Sequence, residues 1–464
     1  MDAREDKAMV SLFDRILEDP SKFTFLTETL GECKIDTPIA NTTHFVEADD
    51  MYSMLSVRAA YVDEFVKRYG SVPKLESAGP HRKIFHDPAT TRAAIVTAGG
   101  LCPGLNNVIK GLVEVLAFDY GVKTIYGFRY GYAGLIPEYN YDPILLTPDI
   151  VDTIHEKGGT TLGSSRGQQD TSRMVDTLER LGINVLFAIG GDGSLRCARD
   201  VSNECRARGL KISVVGIPKT IDNDLHFVGR TFGFETAVAA SVPAIRSAHA
   251  EALGAYHGIG LVKLMGRDSG FIAAYAALAN PVVNFCLIPE SPFTVDGENG
   301  LLRALERRFE SGRSHAVIVV AEGAGQELME GEERRDASGN ILKKDIGEFL
   351  KNRITEHFKK KNDDVTVKYI DPSYTIRSCP ADASDSVLCY RLARMAVHAA
   401  MAGRTNCVVG RLNDDYSLVP IPLATIERRK VELSSNLWAS VLDATGQEFY
   451  MNPEVHSAGA VYHP

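Results

Sequence analysis

The chain has 464 residues, too many for one hydrophobic core, so two or more domains are expected. With 44% hydrophobic and 24% charged residues it has the make-up of an ordinary globular protein, and no apolar run is long enough to span a bilayer. A formal charge of −9 argues against general nucleic-acid binding, which favours a basic patch.

The opening MDAREDKAMV is charged and has no apolar signal core, and the closing AVYHP carries no lipidation or peroxisomal signal, so a cytoplasmic location is expected. The 8 Cys are scattered, with no C-x-x-C pair and no Cys/His cluster at ligand spacing. Reduced thiols and no zinc site are the expectation. Residues 1–91 contain helical stretches such as MVSLFDRILEDP and the polar connector SVPKLESAGPHRK, without β-α alternation. They read as an N-terminal extension that packs on the main body or on a neighbouring subunit.

From Arg92 the pattern changes. AAIVTAGG is an apolar run ending in glycines, followed by the helical spacing of NNVIKGLVEVLAF. VLFAIGGDGS leads into a helix, LRCARDVSNECRARG, and ISVVGIPKTIDND is a further strand and loop. GIGLVKLMGRDSG and FIAAYAALA give a strand and a helix; VVNFCLIPES and HAVIVVAEGAG are two more strands. Continuous β-branched runs alternating with helices predict an α/β fold with mostly parallel sheets covered on both faces. Ligands bind at the carboxyl ends of such strands, where every glycine- or acid-rich loop lies. The polar stretch Glu330 to Asp345 reads as an exposed hairpin or insertion.

In TAGGLCPGLNN, Gly99 and Gly100 can approach a phosphate closely or simply make a tight strand-to-helix turn. No G-K-[ST] follows, so this is not a P-loop. In GGDGS, Gly190, Gly191 and Gly193 permit close phosphate approach, and Ser194 can cap the next helix. Asp192 is the unusual residue, since a carboxylate beside a phosphate is repulsive unless a cation intervenes. Mg²⁺ takes one or two carboxylates plus phosphate oxygens, which favours a metal role for Asp192 over a turn or cap acid.

PKTIDNDL offers Asp222 and Asp224 after Lys219 and Thr220. Phosphoryl transfer to a hydroxyl needs a base, and Asp222 is the candidate; the alternative is a turn built on Asx hydrogen bonds, a part suited to Asn223. In MGRDSG, Arg267 can pair bidentately with phosphate, as can Arg166 in TTLGSSRGQQD. KYIDPSYTIRS places Lys368, Tyr374 and Arg377 on one stretch suited to the distal phosphate of a sugar bisphosphate, although such residues are commonly surface ion-pair partners. Glu322 in VVAEGAG can accept from sugar hydroxyls or cap a helix.

The motifs TAGGLCPGLN, GGTTLGSSRG, GGDGS, PKTIDND, LVKLMGRDSGF, VVAEGAGQEL and YIDPSYTIRS run in this order from about Ala93 to about Arg411. Together they resemble the 6-phosphofructokinase family, and within it the long-chain branch of plant and trypanosomatid ATP-dependent enzymes. The resemblance implies two Rossmann-like three-layer domains with the active site in the cleft between them. It implies a nucleotide-binding domain at 92–234, a sugar-phosphate-binding domain at 235–430 whose chain crosses back near 385–410, and a C-terminal tail at 431–464. It implies transfer of the γ-phosphoryl group of ATP to the 1-hydroxyl of fructose 6-phosphate, with Mg²⁺, in a homodimer or homotetramer.

By the same resemblance Asp222 is the base, with Thr220 and Arg267 in the catalytic set, and Asp192 serves Mg²⁺. Gly99, Arg166, Gly167, Gly191, Gly193 and Ser194 line the nucleotide site. Thr220, Ile221, Met265, Gly266, Arg267, Glu322, Lys368, Tyr374, Thr375, Ile376 and Arg377 hold the sugar phosphate. The short bacterial branch carries arginine where Gly258 and Lys368 stand and histidine where Tyr374 stands, so its cross-subunit contacts and effector site are not carried over. Two positions bear on the donor. Pyrophosphate enzymes usually have a second Asp where Gly193 stands, which leaves space for an α-phosphate here; Lys219 is found in pyrophosphate enzymes and in the long ATP branch alike. ATP is therefore expected, with pyrophosphate as the alternative. A lipid or NAD kinase shares the GGDG-like loop without the PKTIDND and MGR motifs, and a non-catalytic sensor would be expected to have lost Asp192 or Asp222.

Overall fold

The computed structural model of the chain describes residues 11–39, 45–46, 52–55, 58–335, 341–412 and 414–448. The helices used below are α1 (Leu12–Glu18), α2 (Ala59–Tyr69), α3 (Leu105–Glu114), α4 (Thr171–Arg180), α5 (Asp192–Ala207), α6 (Phe234–Leu253), α7 (Phe271–Ala279), α8 (Leu301–Glu310), α9 (Ile346–Lys360), α10 (Ser373–Ser378), α11 (Ala383–Met401) and α12 (Asn436–Thr445). The strands are β1 (Tyr52–Met54), β2 (Lys74–Ser77), β3 (Arg92–Thr97), β4 (Thr124–Gly127), β5 (Ile144–Leu145), β6 (Val185–Gly190), β7 (Ser213–Pro218), β8 (Gly258–Leu264), β9 (Phe285–Leu287), β10 (His315–Ala321), β11 (Thr366–Ile370), β12 (Cys407–Leu412) and β13 (Asp415–Pro420).

These divide into two compact units. The first comprises the described residues of Met9–Phe234 together with Arg377–Arg428; the second comprises Glu235–Ile376 and the described residues from Arg429 onward. In the first, nine strands form one sheet in the order β1-β2-β13-β12-β7-β6-β3-β4-β5. The run from β12 to β4 is parallel, and the flanking strands are antiparallel. The apolar runs follow from burial on both faces. Ala93, Ile95, Val185, Phe187 and Ile189 face a core closed by α3 and α11, while Ala94, Val96, Leu186 and Ala188 face one closed by α4 and α5. In the second unit β9-β10-β8-β11 form an all-parallel sheet. Ile259, Leu261, Ile318 and Val320 pack on one face against Leu301, Leu305, Leu350 and Ile354 of α8 and α9.

The expected boundaries change in three respects. Residues 1–91 are not set apart as a bare extension: β1 and β2 complete the nine-stranded sheet, and Leu12 and Ile16 of α1 enter its second core. The expected block 235–430 is divided more widely than a crossing back near 385–410: β12 pairs in parallel with β7, and Arg377–Arg428 belongs to the first unit. Within the expected tail, α12 buries Trp438 and packs on α7 of the second unit; residues 449–464 lie outside the described residues.

Gly258, where the resembling short branch has arginine, opens β8 beneath the end of α6. A Cβ there would meet the Ala252 carbonyl oxygen at 2.1 Å. The close helix-on-strand approach thus excludes any side chain at this position. Phe187 is fully buried at the centre of the larger sheet. Phe187→Ala is expected to destabilise the first unit by about 3–5 kcal/mol, read as a shift of its urea-unfolding midpoint.

Candidate active site

Three loops of the first unit meet at the carboxyl ends of β3, β6 and β7. Thr97 lies level with Ile189, and Pro218 with Gly190. The ladder runs one residue past the strands, through Ala98 N–H to Ile189 O (2.9 Å) and Lys219 N–H to Gly190 O (2.9 Å). TAGG, GGDG and PKTIDND are therefore adjacent in space.

The glycines are required by this crowding. A Cβ on Gly190 would lie 2.2 Å from Ser194 Cβ, and one on Gly191 3.0 Å from the Lys219 carbonyl. Gly99 has φ +86°, and a Cβ there would sit 3.1 Å from Lys219 Nζ. Gly193 differs, since a Cβ there would meet nothing within 4 Å. The helix α5 starts at Asp192 with Gly191 as N-cap and no side-chain cap bond. Ser194 does not cap it, contrary to expectation, because it already lies inside the first turn. Asp192 is not a capping acid either. Its carboxylate accepts from Arg196 Nε at 3.1 Å, and Arg196 also donates to the Thr425 carbonyl at 2.9 Å.

In the PKTIDND loop, Thr220 Oγ1 donates to Asp224 Oδ1 at 2.7 Å and accepts from the Asp222 backbone N–H at 3.3 Å. Asn223 stands at φ +53°. Its side-chain oxygen accepts from Thr231 N–H at 3.0 Å, so it pins the two limbs of the loop rather than forming a local Asx turn. Ile221 packs at the edge of the core and holds the loop to the sheet.

The charges here are mutually frustrated. Lys219 is buried, and its Nζ donates to Gly100 O at 3.0 Å. Burial pushes its ammonium below the usual lysine range; Arg377 and Arg166 add to the fall, while Cys102 and Asp222 oppose it. Lys219, Arg166, Arg377 and Asp222 thus share one electrostatic neighbourhood, and Arg377 stands with the groups of the first unit. Asp224 is buried, and that burial raises its carboxyl above the usual range against the Thr220 hydroxyl and Arg428, with the Asp192 carboxylate adding to the rise. No group of three or more His, Cys, Asp or Glu forms a metal cluster among the described residues. The pair Asp192 and Asp224 fits a hard cation that completes its shell with phosphate oxygens and water. The acidic loop was visible in the sequence, but nothing in its spacing singled out Asp224 as the carboxylate within electrostatic reach of Asp192.

The second unit gathers its candidates at the carboxyl ends of β8 and β10. Glu322 N–H donates to Leu264 O at 2.9 Å and Gly323 N–H to Gly266 O at 3.0 Å, so the MGR and AEG turns are joined. Gly266 has φ +129°, and Met265 is buried beneath it. Arg267 is directed to the carbonyl of Ile341. The stretch expected as a solvated hairpin, Glu330 to Asp345, is thus engaged at its second limb; residues 336–340 lie outside the described residues. Tyr374, Thr375 and Ile376 lie on α10, with Tyr374 83% exposed and Ile376 buried. Lys368 does not join them. It pairs in register with Gly260, four residues before Leu264 ends β8, and its ammonium lies 3.5 Å from Glu251. At a rise of roughly 3.3 Å per residue, that is about 13 Å short of the strand end. Gly167 stands at φ +102° in the turn that carries Arg166.

Comparison with known proteins places the chain in a family. The family model described as Phosphofructokinase matches residues 92–400. The chain is 49% identical to the ATP-dependent 6-phosphofructokinase of Borreliella burgdorferi, covering 92% of this chain and 97% of that one. It is 50% identical to the ATP-dependent enzyme of Trypanosoma cruzi over 80% of this chain and 76% of that one. It is 45% identical to ATP-dependent 6-phosphofructokinase 7 of Arabidopsis thaliana over 89% and 83%. The solved pyrophosphate-dependent phosphofructokinase of Marinobacter aquaeolei superposes with a TM-score of 0.62 over 77% of this chain and 91% of that one, and its 21% identity makes it a likeness of fold. The chain belongs to the phosphofructokinase family.

Proposed function

We propose that the protein transfers the γ-phosphoryl group of ATP to the 1-hydroxyl of fructose 6-phosphate, giving fructose 1,6-bisphosphate and ADP in glycolysis. The observation that carries the donor assignment is the open space at Gly193, where a Cβ meets nothing within 4 Å. An α-phosphate with its nucleoside is accommodated there, beside the N-terminus of α5. Relatives at 45–50% identity that bear the name ATP-dependent 6-phosphofructokinase support the same reading.

Phosphoryl transfer relies on positioning and charge stabilisation more than on covalent chemistry. Asp222 takes the proton of the sugar 1-hydroxyl as the new oxygen–phosphorus bond forms. Thr220, bonded to the Asp222 backbone and to Asp224, fixes the loop that presents it. Lys219, Arg166 and Arg377 receive the phosphate charge, while Met265, Gly266, Arg267, Glu322, Tyr374, Thr375 and Ile376 belong to the sugar-phosphate side. Asp192 and Asp224 would hold Mg²⁺, which when bound neutralises the charge on the phosphate oxygens. The same family reading implies a homodimer or homotetramer acting in the cytoplasm; no described helix is long and apolar enough to cross a membrane.

A second reading, pyrophosphate as donor, is favoured by one observation: the buried Lys219 ammonium is an additional cation at the phosphate loop. Supplying the purified protein with fructose 6-phosphate, Mg²⁺ and either donor separates the two. Product from ATP alone supports the reading given, and product from pyrophosphate alone replaces it. Gly193→Asp should lower kcat/KM for ATP by about 10²-fold through like-charge repulsion, with much less effect on any pyrophosphate activity. Asp222→Ala should lower kcat by about 10²–10⁴ while ATP binding, measured by calorimetry, is retained.

A further inference from the structure

Five consecutive residues, Ile341 to Asp345, touch the ends of three strands of the second unit. The Ile341 carbonyl accepts from Arg267 Nη2 after β8, and Lys343 Nζ pairs with Asp268 Oδ1 at 3.0 Å. Lys344 N–H donates to Gln326 Oε1 at 2.9 Å, and Gln326 Nε2 returns a bond to Lys344 O at 3.0 Å, after β10. Asp345 accepts from Lys263 at 3.1 Å on β8 and from the Tyr369 hydroxyl at 2.9 Å on β11, and it caps α9. The stretch is also bridged to its own first limb, through Leu342 N–H to Arg334 O at 2.6 Å.

The backbone of Arg267 is closely packed. A Cβ on Gly323 would lie 2.0 Å from its carbonyl oxygen, so the neighbouring turn is packed against it. Its long side chain is another matter, since an arginine carries about 2 kcal/mol of rotamer entropy when free. One guanidinium N–H engaged by the Ile341 carbonyl leaves others available for a bidentate phosphate contact. Asp268 serves both neighbours, with Arg267 Nε at 3.9 Å on one oxygen and Lys343 Nζ at 3.0 Å on the other. Lys343 satisfies the Asp268 carboxylate, which leaves the arginine directed to Ile341.

The geometry points to Ile341–Asp345 as a strap that holds Arg267 ready for the sugar-phosphate substrate, with Lys343 and Asp268 as positioning residues. This rests on the assignment of Arg267 to that substrate. The strap lowers the ordering cost of one long cation when the anion arrives, and it acts on fructose 6-phosphate without touching ATP use.

A double-mutant cycle tests it. Lys343→Ala is expected to lower kcat/KM for fructose 6-phosphate about tenfold, which is about 1.4 kcal/mol, with the KM for ATP unchanged and Lys343→Arg restoring most of the loss. In an Arg267→Ala background the same Lys343→Ala change should cost nothing further, because the residue it positions is gone. A loss of equal size in both backgrounds, or no loss in either, overturns the strap while leaving the sugar-phosphate assignment standing. If Arg267→Ala itself leaves kcat/KM for fructose 6-phosphate unchanged, the assignment falls and the strap with it. Lys343 and Asp268 are partly solvent-exposed, and an unchanged melting temperature for each variant confirms that the comparison is between folded proteins.

Discussion

Two backbone hydrogen bonds carry the functional geometry of the first unit. Ala98 to Ile189 and Lys219 to Gly190 extend the parallel ladder beyond its last strand residues, so three loops from separate parts of the sequence are held at hydrogen-bond spacing. Parallel register is unforgiving, because a slip of one residue would exchange the two faces of β6 and bury the wrong set. Phe187 and Ile189 on one face, and Leu186 and Ala188 on the other, make each slipped alternative costly. The apolar core and the phosphate loops are therefore specified by the same register, and the glycines at Gly190 and Gly191 are what let the loops close onto it.

That closeness has an electrostatic consequence. Lys219 is buried among cations, and Asp224 is buried beside another acid. Neither arrangement is favourable for the protein alone. Under the proposed reaction, the polyphosphate and its metal would bring the compensating charges. Arg196 partly compensates Asp192 in the meantime from one helical turn away.

The local chemistry was legible in the sequence because it is local. A β-branched run ending in glycines gives a strand and a phosphate-sized turn, and β3, β6, β7, β8 and β10 fall where those runs lie. The family motifs put Asp192, Asp222 and Arg267 on loops that follow β6, β7 and β8. What was not legible depends on pairings between distant segments. Nothing in the composition near Cys407 says that its strand will lie beside β7; only the family resemblance implied a crossing back near 385–410, narrower than Arg377–Arg428. Lys368 sits close in sequence to Tyr374, but register with Gly260 leaves it four residues short of the strand end, where Glu251 takes its charge. Ser194 has the residue type of a helix cap, and only the observed start of α5 shows that it lies three residues past the cap. The polar segment near Asp345 has the composition of a solvated loop; its anchoring rests on partners more than 15 residues away, such as Gln326 and Lys263.

The pairing of β12 with β7 also governs how the chain can be made. Some 190 residues separate the end of β7 at Pro218 from the start of β12 at Cys407. At about 5–20 residues per second, the ribosome takes roughly 10–40 s to deliver the partner strand. Through that interval the β12 side of β7 has an open row of backbone donors and acceptors, able to pair with any strand that arrives first. The chain between them supplies competitors in β8, β10 and β11, all parallel-forming. A pause placed after β11 would lengthen the period of exposure.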